Sequence, residues 1–268
     1  MPTVIQTGLP GPPGETLPTM YDLPSEEIGE SGLPDEFHFK QACLLWETFK
    51  PPTVPDDHVF SAIDMYLYYD IHHTNRYKRL DWFGVIGVPR LYEGWDFRRS
   101  YVIWQERVTP LIVVELLAPD VDEGELTRSQ GEPDEPPTKL EVYEKILRVP
   151  YYALFGRQET ELRVFQLCDG RYVEATGHNR RFWIAEAGLW LGLWRGSYDR
   201  QERLWLRWFG TQENRIPTDA ERAEQYRQQA EQAMQTAQEY QQRTEHALRR
   251  IECMAEKLRQ LGYDPDQV

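Results

Sequence analysis

From Thr218 to Leu261 the chain contains neither glycine nor proline, and that stretch constrains the architecture more than any other. Thr218 and Glu221 stand at the S/T-x-x-E spacing of a capping box, in which each side chain satisfies a free N–H at a helix start. Gly262 followed by Pro265 supplies the stop. At about 1.5 Å per residue such a helix is on the order of 60 Å long, too long to bury in one small core. Ala223, Tyr226, Ala230, Ala233, Ala237, Tyr240, Thr244, Ala247, Ile251, Met254, Leu258 and Leu261 recur at alternating spacings of three and four, the a/d seam of a heptad repeat. Alanine dominates the first half, where helices can approach closely but bury little area; Ile251 to Leu261 is the apolar end. Residues 217–262 are therefore expected to form a long helix that pairs as a coiled coil between copies of the chain, with partner number and orientation open. The alternative is a solvated single helix held by Glu, Gln and Arg propensity.

Ahead of that helix the chain changes character. Residues 1–34 carry GLPGPPGETLP and no apolar periodicity, which predicts an irregular lead-in with too little burial to offset chain entropy. Residues 35–212 read as one α/β domain. Phe37, Ala42, Leu44, Leu45, Trp46 and Phe49 fit one face of a short helix that ends before Pro51 and Pro52. Strand-like runs come next: VFSAIDMYLYY from Val59, DWFGVIGV opened by Asp81, and PLIVVELL from Pro110. The stretch from Leu91 to Trp104 is too mixed to assign. A polar loop, APDVDEGELTRSQGEPDEPP, comes after Leu117. Thr138 and Glu141 then form a second capping box ahead of KLEVYEKIL, and YYALF, ELRVFQL and RYVEA read as further strands. The tryptophans between Trp183 and Phe209 read as filling and covering a sheet rather than as a platform for stacked bases.

Bulk properties limit the function. The formal charge of −14 excludes a general DNA-coating protein, because non-specific affinity comes from Lys and Arg neutralising phosphates. Any nucleic acid must be met by a local basic surface or a metal-screened site. No run reaches the roughly 18 apolar residues of a membrane span, and Met1 to Pro34 lacks the charged start and apolar stretch of a signal peptide. A cytoplasmic protein without a membrane partner is expected. Cys43, Cys168 and Cys253 are scattered without CxxC spacing, so they read as ordinary reduced thiols.

The most informative single residue is Glu115, because it sits inside LIVVELL, a strand apolar enough to be covered on both faces. A carboxylate there must be neutralised, paired or bound to a cation. Asp81 would place a second carboxylate on a neighbouring strand, and two converging carboxylates suit Mg²⁺ or Mn²⁺ with water completing the shell. Lys139, at the start of the next helix, would orient or help deprotonate an attacking water, or stabilise charge on phosphorus. Plainer readings stand beside these: Asp81 caps a turn after RYKR, Glu115 pairs with an arginine, and Lys139 is a first-turn surface lysine.

Taken in order, LDWFGVIGV, PLIVVELLAP and TKLEVYEKILRVPYYALF resemble the Uma2 family. Its pattern runs PD before apolar residues, then an apolar strand ending in E-h-L-S-P with h apolar, then a helix with K-x-x-x-Y leading into G-V-x-x-Y. The likeness covers about Phe37 to Trp208, and the IPTDAERA helix ending in KLRQLGYDPD looks like the tail of a cyanobacterial subgroup. The resemblance implies a PD-(D/E)XK restriction-endonuclease-like core, a small mixed α/β sheet flanked by helices. It also implies a Mg²⁺- or Mn²⁺-dependent endonuclease acting on nucleic acid, with DNA favoured over RNA. Asp81 falls on the family's motif aspartate, Glu115 on its strand glutamate, and Lys139 on the lysine that has moved from strand to helix. Tyr143 matches the helix tyrosine and shares the face of Lys139; it reads as packing. Leu80 replaces the usual proline, and Ala118 the usual serine, which removes a hydroxyl close to Glu115. His72, His73, Arg76, Lys78 and Arg79 form a basic stretch before Asp81, and Glu47 is a further carboxylate on the first helix. A second functional reading keeps the fold without the chemistry: an inactive nuclease-like protein that works as a coiled-coil assembly module.

Overall fold

The computed structural model describes residues 17–26, 32–117, 136–156 and 162–262. Ala118, the polar loop through residue 135, and Pro265 lie outside the described residues. The chain divides into two compact units, Met1–Ile216 and Pro217–Val268.

In the first unit, helix α1 (Glu36–Thr48) precedes strands β1 (Val59–Tyr68) and β2 (Tyr77–Ile86). The short β3 (Tyr101–Val102) and α2 (Ile103–Glu106) occupy the stretch too mixed to assign by pattern. Then come β4 (Ile112–Leu117), a short helix α3 (Lys139–Glu141) continued by a π-helical turn over Val142–Ile146, and β5 (Tyr151–Gly156). Strands β6 (Leu162–Cys168), β7 (Arg171–Glu174), β8 (Arg181–Ile184), β9 (Leu189–Tyr198) and β10 (Gln201–Phe209) complete it. Among the described residues, seven strands form one mixed sheet in the order β3-β1-β2-β4-β5-β6-β7, and β10-β9-β8 form a second. Among the described strands, β1 with β3 and β4 with β5 pair in parallel and the other neighbours antiparallel.

Alternation along β4 sets the layers, because successive side chains of a strand point to opposite faces. Ile112, Val114 and Leu116 pack with α1 and the second sheet, among them Leu44, Leu45, Trp205 and Trp208. Val113 and Leu117 pack on the other face with Leu140, Val142 and Tyr143 from α3 and its π turn. Glu115 shares that second face by register. Gln41 of α1 is joined to β10 in both directions, its amide donating to Leu206 O and accepting from Leu206 N–H.

Several features depart from what the local pattern suggests. Asp81 does not open a strand; it lies inside β2, because the polar RYKR segment pairs with the apolar end of β1, Lys78 opposite Leu67 and Arg79 opposite Tyr66. The alternation of β1 also breaks at Asp64, whose φ is +53°. Phe60 and Ala62 before it, and Leu67 and Tyr69 after it, all reach the face covered by α3. The lead-in is not free of burial: Met20 and Leu23 pack with Tyr66, Tyr68 and Tyr92, and Trp104 Nε1–H donates to Pro18 O at 2.8 Å. Of the tryptophans read as sheet-filling, Trp205 and Trp208 are buried while Trp183 is exposed. Trp46, read on the apolar face of α1, is exposed as well.

The second unit is helix α4 (Asp219–Gln260), which begins at the Thr218 capping box, and no residue of the helix is buried. Gly262, with φ +81°, takes the left-handed conformation that suits glycine just beyond a helix end.

Candidate active site

Glu115 is 1% exposed, so the fold must neutralise it, and α3 does so. Thr138 caps that helix, its hydroxyl accepting from Glu141 N–H and Glu141 accepting from Thr138 N–H. The cap fixes where the helix starts, and so where Lys139 points. Lys139 and Tyr143 are four residues apart and share a helix face. Lys139 Nζ donates to Glu115 Oε2 at 2.8 Å, and the Tyr143 hydroxyl donates to Glu115 Oε1 at 2.7 Å. Beyond Tyr143 the helix widens: Leu147 N–H donates to Val142 O, five residues back, and Val149 N–H to Tyr143 O. π turns of this kind recur at functional sites.

Asp81 stands beside this group. Strands β2 and β4 pair antiparallel through Trp82 and Val114, and the next residues in register are Asp81 and Glu115. Asp81 Oδ2 accepts from Leu116 N–H at 2.7 Å. Burial pushes Glu115 up to about 7; Lys139 pulls against that rise and Asp81 adds to it. On Lys139, burial alone would lower the pKa, but Glu115 and Asp81 outweigh it and hold the ammonium above its usual value. The asymmetry has a geometric cause, since the lysine side chain is 28% exposed and the glutamate side chain 2%. Burial, then the charge of Glu115, raises Tyr143 well above the ordinary tyrosine value.

The structure thus brings Asp81, Glu115 and Lys139 together. Tyr143, read as packing, is fully buried and also a direct hydrogen-bond partner of Glu115. Glu115 pairs with lysine and not arginine, and Glu47 is elsewhere, accepting from the Tyr198 hydroxyl at 2.7 Å. One residue escaped the sequence altogether. His38 in α1 is fully buried, with Nδ1 2.8 Å from Asp35 Oδ1 and Nε2 3.0 Å from Leu116 O. The backbone of Leu116 is therefore gripped on both sides of its Cα, its carbonyl by His38 and its N–H by Asp81. The signal for this was a histidine flanked by Phe37 and Phe39 in a helix whose buried face also carries Ala42, Leu44 and Leu45. Among the described residues no group of three or more His, Cys, Asp or Glu is placed to hold a metal ion, so a cation here would rest on the two strand carboxylates.

A mixed sheet that sets an aspartate and a glutamate side by side on neighbouring strands, with a lysine reaching in from the next helix, is a restriction-endonuclease-like fold. The chain belongs to the Uma2 family, whose model, described as "putative restriction endonuclease", matches residues 13–197. That description points to nuclease chemistry and so to a nucleic-acid substrate. A comparison with curated proteins found no match. No helix among the described residues is long and apolar enough to cross a membrane.

Proposed function

We propose that this chain is a metal-dependent endonuclease that hydrolyses phosphodiester bonds in DNA, with Asp81 and Glu115 holding Mg²⁺ or Mn²⁺ and Lys139 acting at the scissile phosphate. The observation that carries the reading is Glu115, a nearly inaccessible carboxylate set beside Asp81 and held by Lys139. The donor set fits such a cation. Asp81 commits Oδ2 to a backbone N–H and keeps Oδ1 without a partner among the described residues. Each Glu115 oxygen takes one hydrogen bond and retains a lone pair, since a carboxylate oxygen has two. Mg²⁺ is commonly held by one or two carboxylates with water and substrate phosphate filling the rest. When bound, the metal supplies Lewis-acid polarisation of a phosphoryl oxygen and a more acidic water.

The chain's own residues do the rest. Lys139 places a cation where charge grows on the phosphate, and Tyr143 and the capped α3 fix its direction. His38 and Asp81 hold the backbone of Leu116, and with it the position of Glu115. The test is plasmid cleavage in Mg²⁺ or Mn²⁺ by the parent, Asp81→Ala and Glu115→Ala. Removing a ligand is expected to lower the rate by at least about a hundredfold, comparable to the loss on removing a key transition-state contact. Equal background in all three sinks the catalytic reading and leaves an inactive nuclease fold.

The same reading extends to residues 217–262 as a coiled coil between copies of the chain. Its support is that Tyr226, Tyr240, Ile251, Met254 and Leu261 of the heptad seam are all exposed. Deleting Thr218 onward is expected to reduce the mass measured by light scattering to that of a single chain; an unchanged assembly removes this role from the helix. The cysteines are all free thiols, in keeping with a cytoplasmic location.

A further inference from the structure

The basic stretch ahead of Asp81 is largely neutralised by its own aspartates. His73 Nδ1 lies 2.7 Å from Asp70 Oδ2, and Arg76 Nη1 lies 3.6 Å from the same oxygen. Arg79 is held by both oxygens of Asp64, at 2.6 and 2.8 Å, and its guanidinium covers the Tyr66 ring. Lys78 differs. Among the described residues no hydrogen bond or ion pair holds its ammonium group, although the chain has 44 carboxylate side chains to offer.

Its place in the sheet says what it faces. Lys78 is opposite Leu67 in the β1–β2 ladder and two residues from Leu80, and both leucines belong to the core layer that α3 covers. Directly opposed residues of antiparallel strands share a face. The half-buried stem of Lys78 therefore runs along the face that carries Glu115 and Lys139. The carboxylates within its electrostatic reach are Glu141 and Glu115, and Lys139 is its like-charged neighbour. Both carboxylates are engaged. Glu141 Oε2 accepts from Thr138 N–H and Oε1 from Lys145, while Glu115 takes Tyr143 and Lys139. Burial, then the charge of Lys139, pushes the Lys78 ammonium below its ordinary value. A desolvated, unpaired cation beside a second cation is costly, and an anion between them relieves both penalties.

We propose that Lys78 and Lys139 form a two-lysine phosphate site along the α3-covered face, in which Lys78 takes a backbone phosphate of the nucleic acid and so holds the strand against the Asp81–Glu115 pair. The inference rests on the nuclease reading for its ligand but not on cleavage. In a chain whose 44 carboxylates outnumber its 30 lysines and arginines, a cation that no described carboxylate pairs is one of the contacts open to phosphate. Its loss removes about one counterion-release step from binding.

The test uses the full chain and a labelled DNA duplex, with binding followed by fluorescence anisotropy across a NaCl series in Ca²⁺. Lys78→Gln and Lys78→Met are expected to weaken binding roughly tenfold and to lower the slope of log Kd against log salt by about one. Lys78→Arg keeps the slope, and Lys145→Gln, which removes a lysine already paired to Glu141, leaves it unchanged. Inorganic phosphate as competitor separates the ligand's sources. Displacement of DNA only at high millimolar phosphate supports a strand-bound phosphate; displacement of the parent's DNA at micromolar phosphate overturns it in favour of a free-anion site. Parent-like affinity and slope in both the Gln and the Met variants, or a parent that does not bind DNA, also overturn it. The two readings fail separately: a parent that binds DNA through Lys78 but cleaves nothing retains this site and loses the catalytic one.

Discussion

Thr138 and Thr218 begin helices with the same device. In each, the threonine N–H donates to a glutamate three residues on, and that glutamate's N–H donates back to the threonine hydroxyl, at 3.1 and 3.1 Å in one and 2.8 and 3.2 Å in the other. Past the cap the two helices are opposites. After Thr138 the α-helix lasts three residues before widening into a π turn, and Leu140, Val142 and Tyr143 are buried. After Thr218 it runs for 42 residues with none buried. The cap therefore decides where a helix starts and says nothing of how far it goes. Along α4 the successive turns are supported locally, for instance by Arg227 reaching both Glu224 and Glu231. Along α3 they are bent to a tertiary purpose, since Lys139 and Tyr143 must both reach Glu115.

The largest effect should come from removing that purpose. Lys139→Met keeps the aliphatic stem and deletes the charge, leaving Glu115 buried without its cation. Breaking a buried pair in this way typically costs about 3 kcal/mol or more. The cost depends on pH with a definite sign. Glu115 already titrates at about 7 in the folded protein against 4.5 for an ordinary glutamate, so the fold holds an extra proton between those values. Its contribution is fully present below the lower value and is lost as pH rises through the upper one. Without Lys139 the folded pKa climbs further. Chemical denaturation followed by tryptophan fluorescence, with all nine tryptophans at or before Trp208, should show the variant much weaker than the parent at pH 8, with the gap narrowing toward pH 5. A gap that stays constant with pH would mean that Lys139 stabilises through packing, and the contrast between α3 and α4 would lose its electrostatic half.

The same contrast marks what could be read in advance. Helices α1 and α4 and strands β1, β4, β5, β6 and β7 announce themselves through periodicity, caps and β-branched runs, all of them local signals. So does the oddity of Glu115 among apolar neighbours. What stayed hidden is relational. The pairing of Tyr77, Lys78 and Arg79 with Tyr68, Leu67 and Tyr66 of β1 makes Asp81 an interior strand residue, and nothing polar in RYKR predicts it. The reset of alternation at Asp64 depends on one left-handed residue. His38 reaches the carbonyl of Leu116 across 78 positions of sequence, and Met20 and Leu23 are buried by tyrosines far along the chain. The distribution of the basic stretch between Asp70 and Asp64 is likewise visible only once the strands are paired.

A smaller effect sharpens the comparison by perturbing both helices at their shared device. Thr138→Ala and Thr218→Ala each remove one capping hydroxyl, a change of about 1 kcal/mol in either helix. The consequences should differ because the load on each helix differs. At Thr138 the lost bond loosens the turn that aims Lys139, so tryptophan-monitored unfolding should shift by that amount and cleavage should fall severalfold, with Thr138→Ser restoring both. At Thr218 the first turn frays into solvent, and the change should appear as a slight loss of helical circular dichroism that Thr218→Ser or Thr218→Asp recovers. If Thr138→Ala leaves cleavage intact while lowering stability, α3 is a structural cover and Lys139 finds Glu115 without its help.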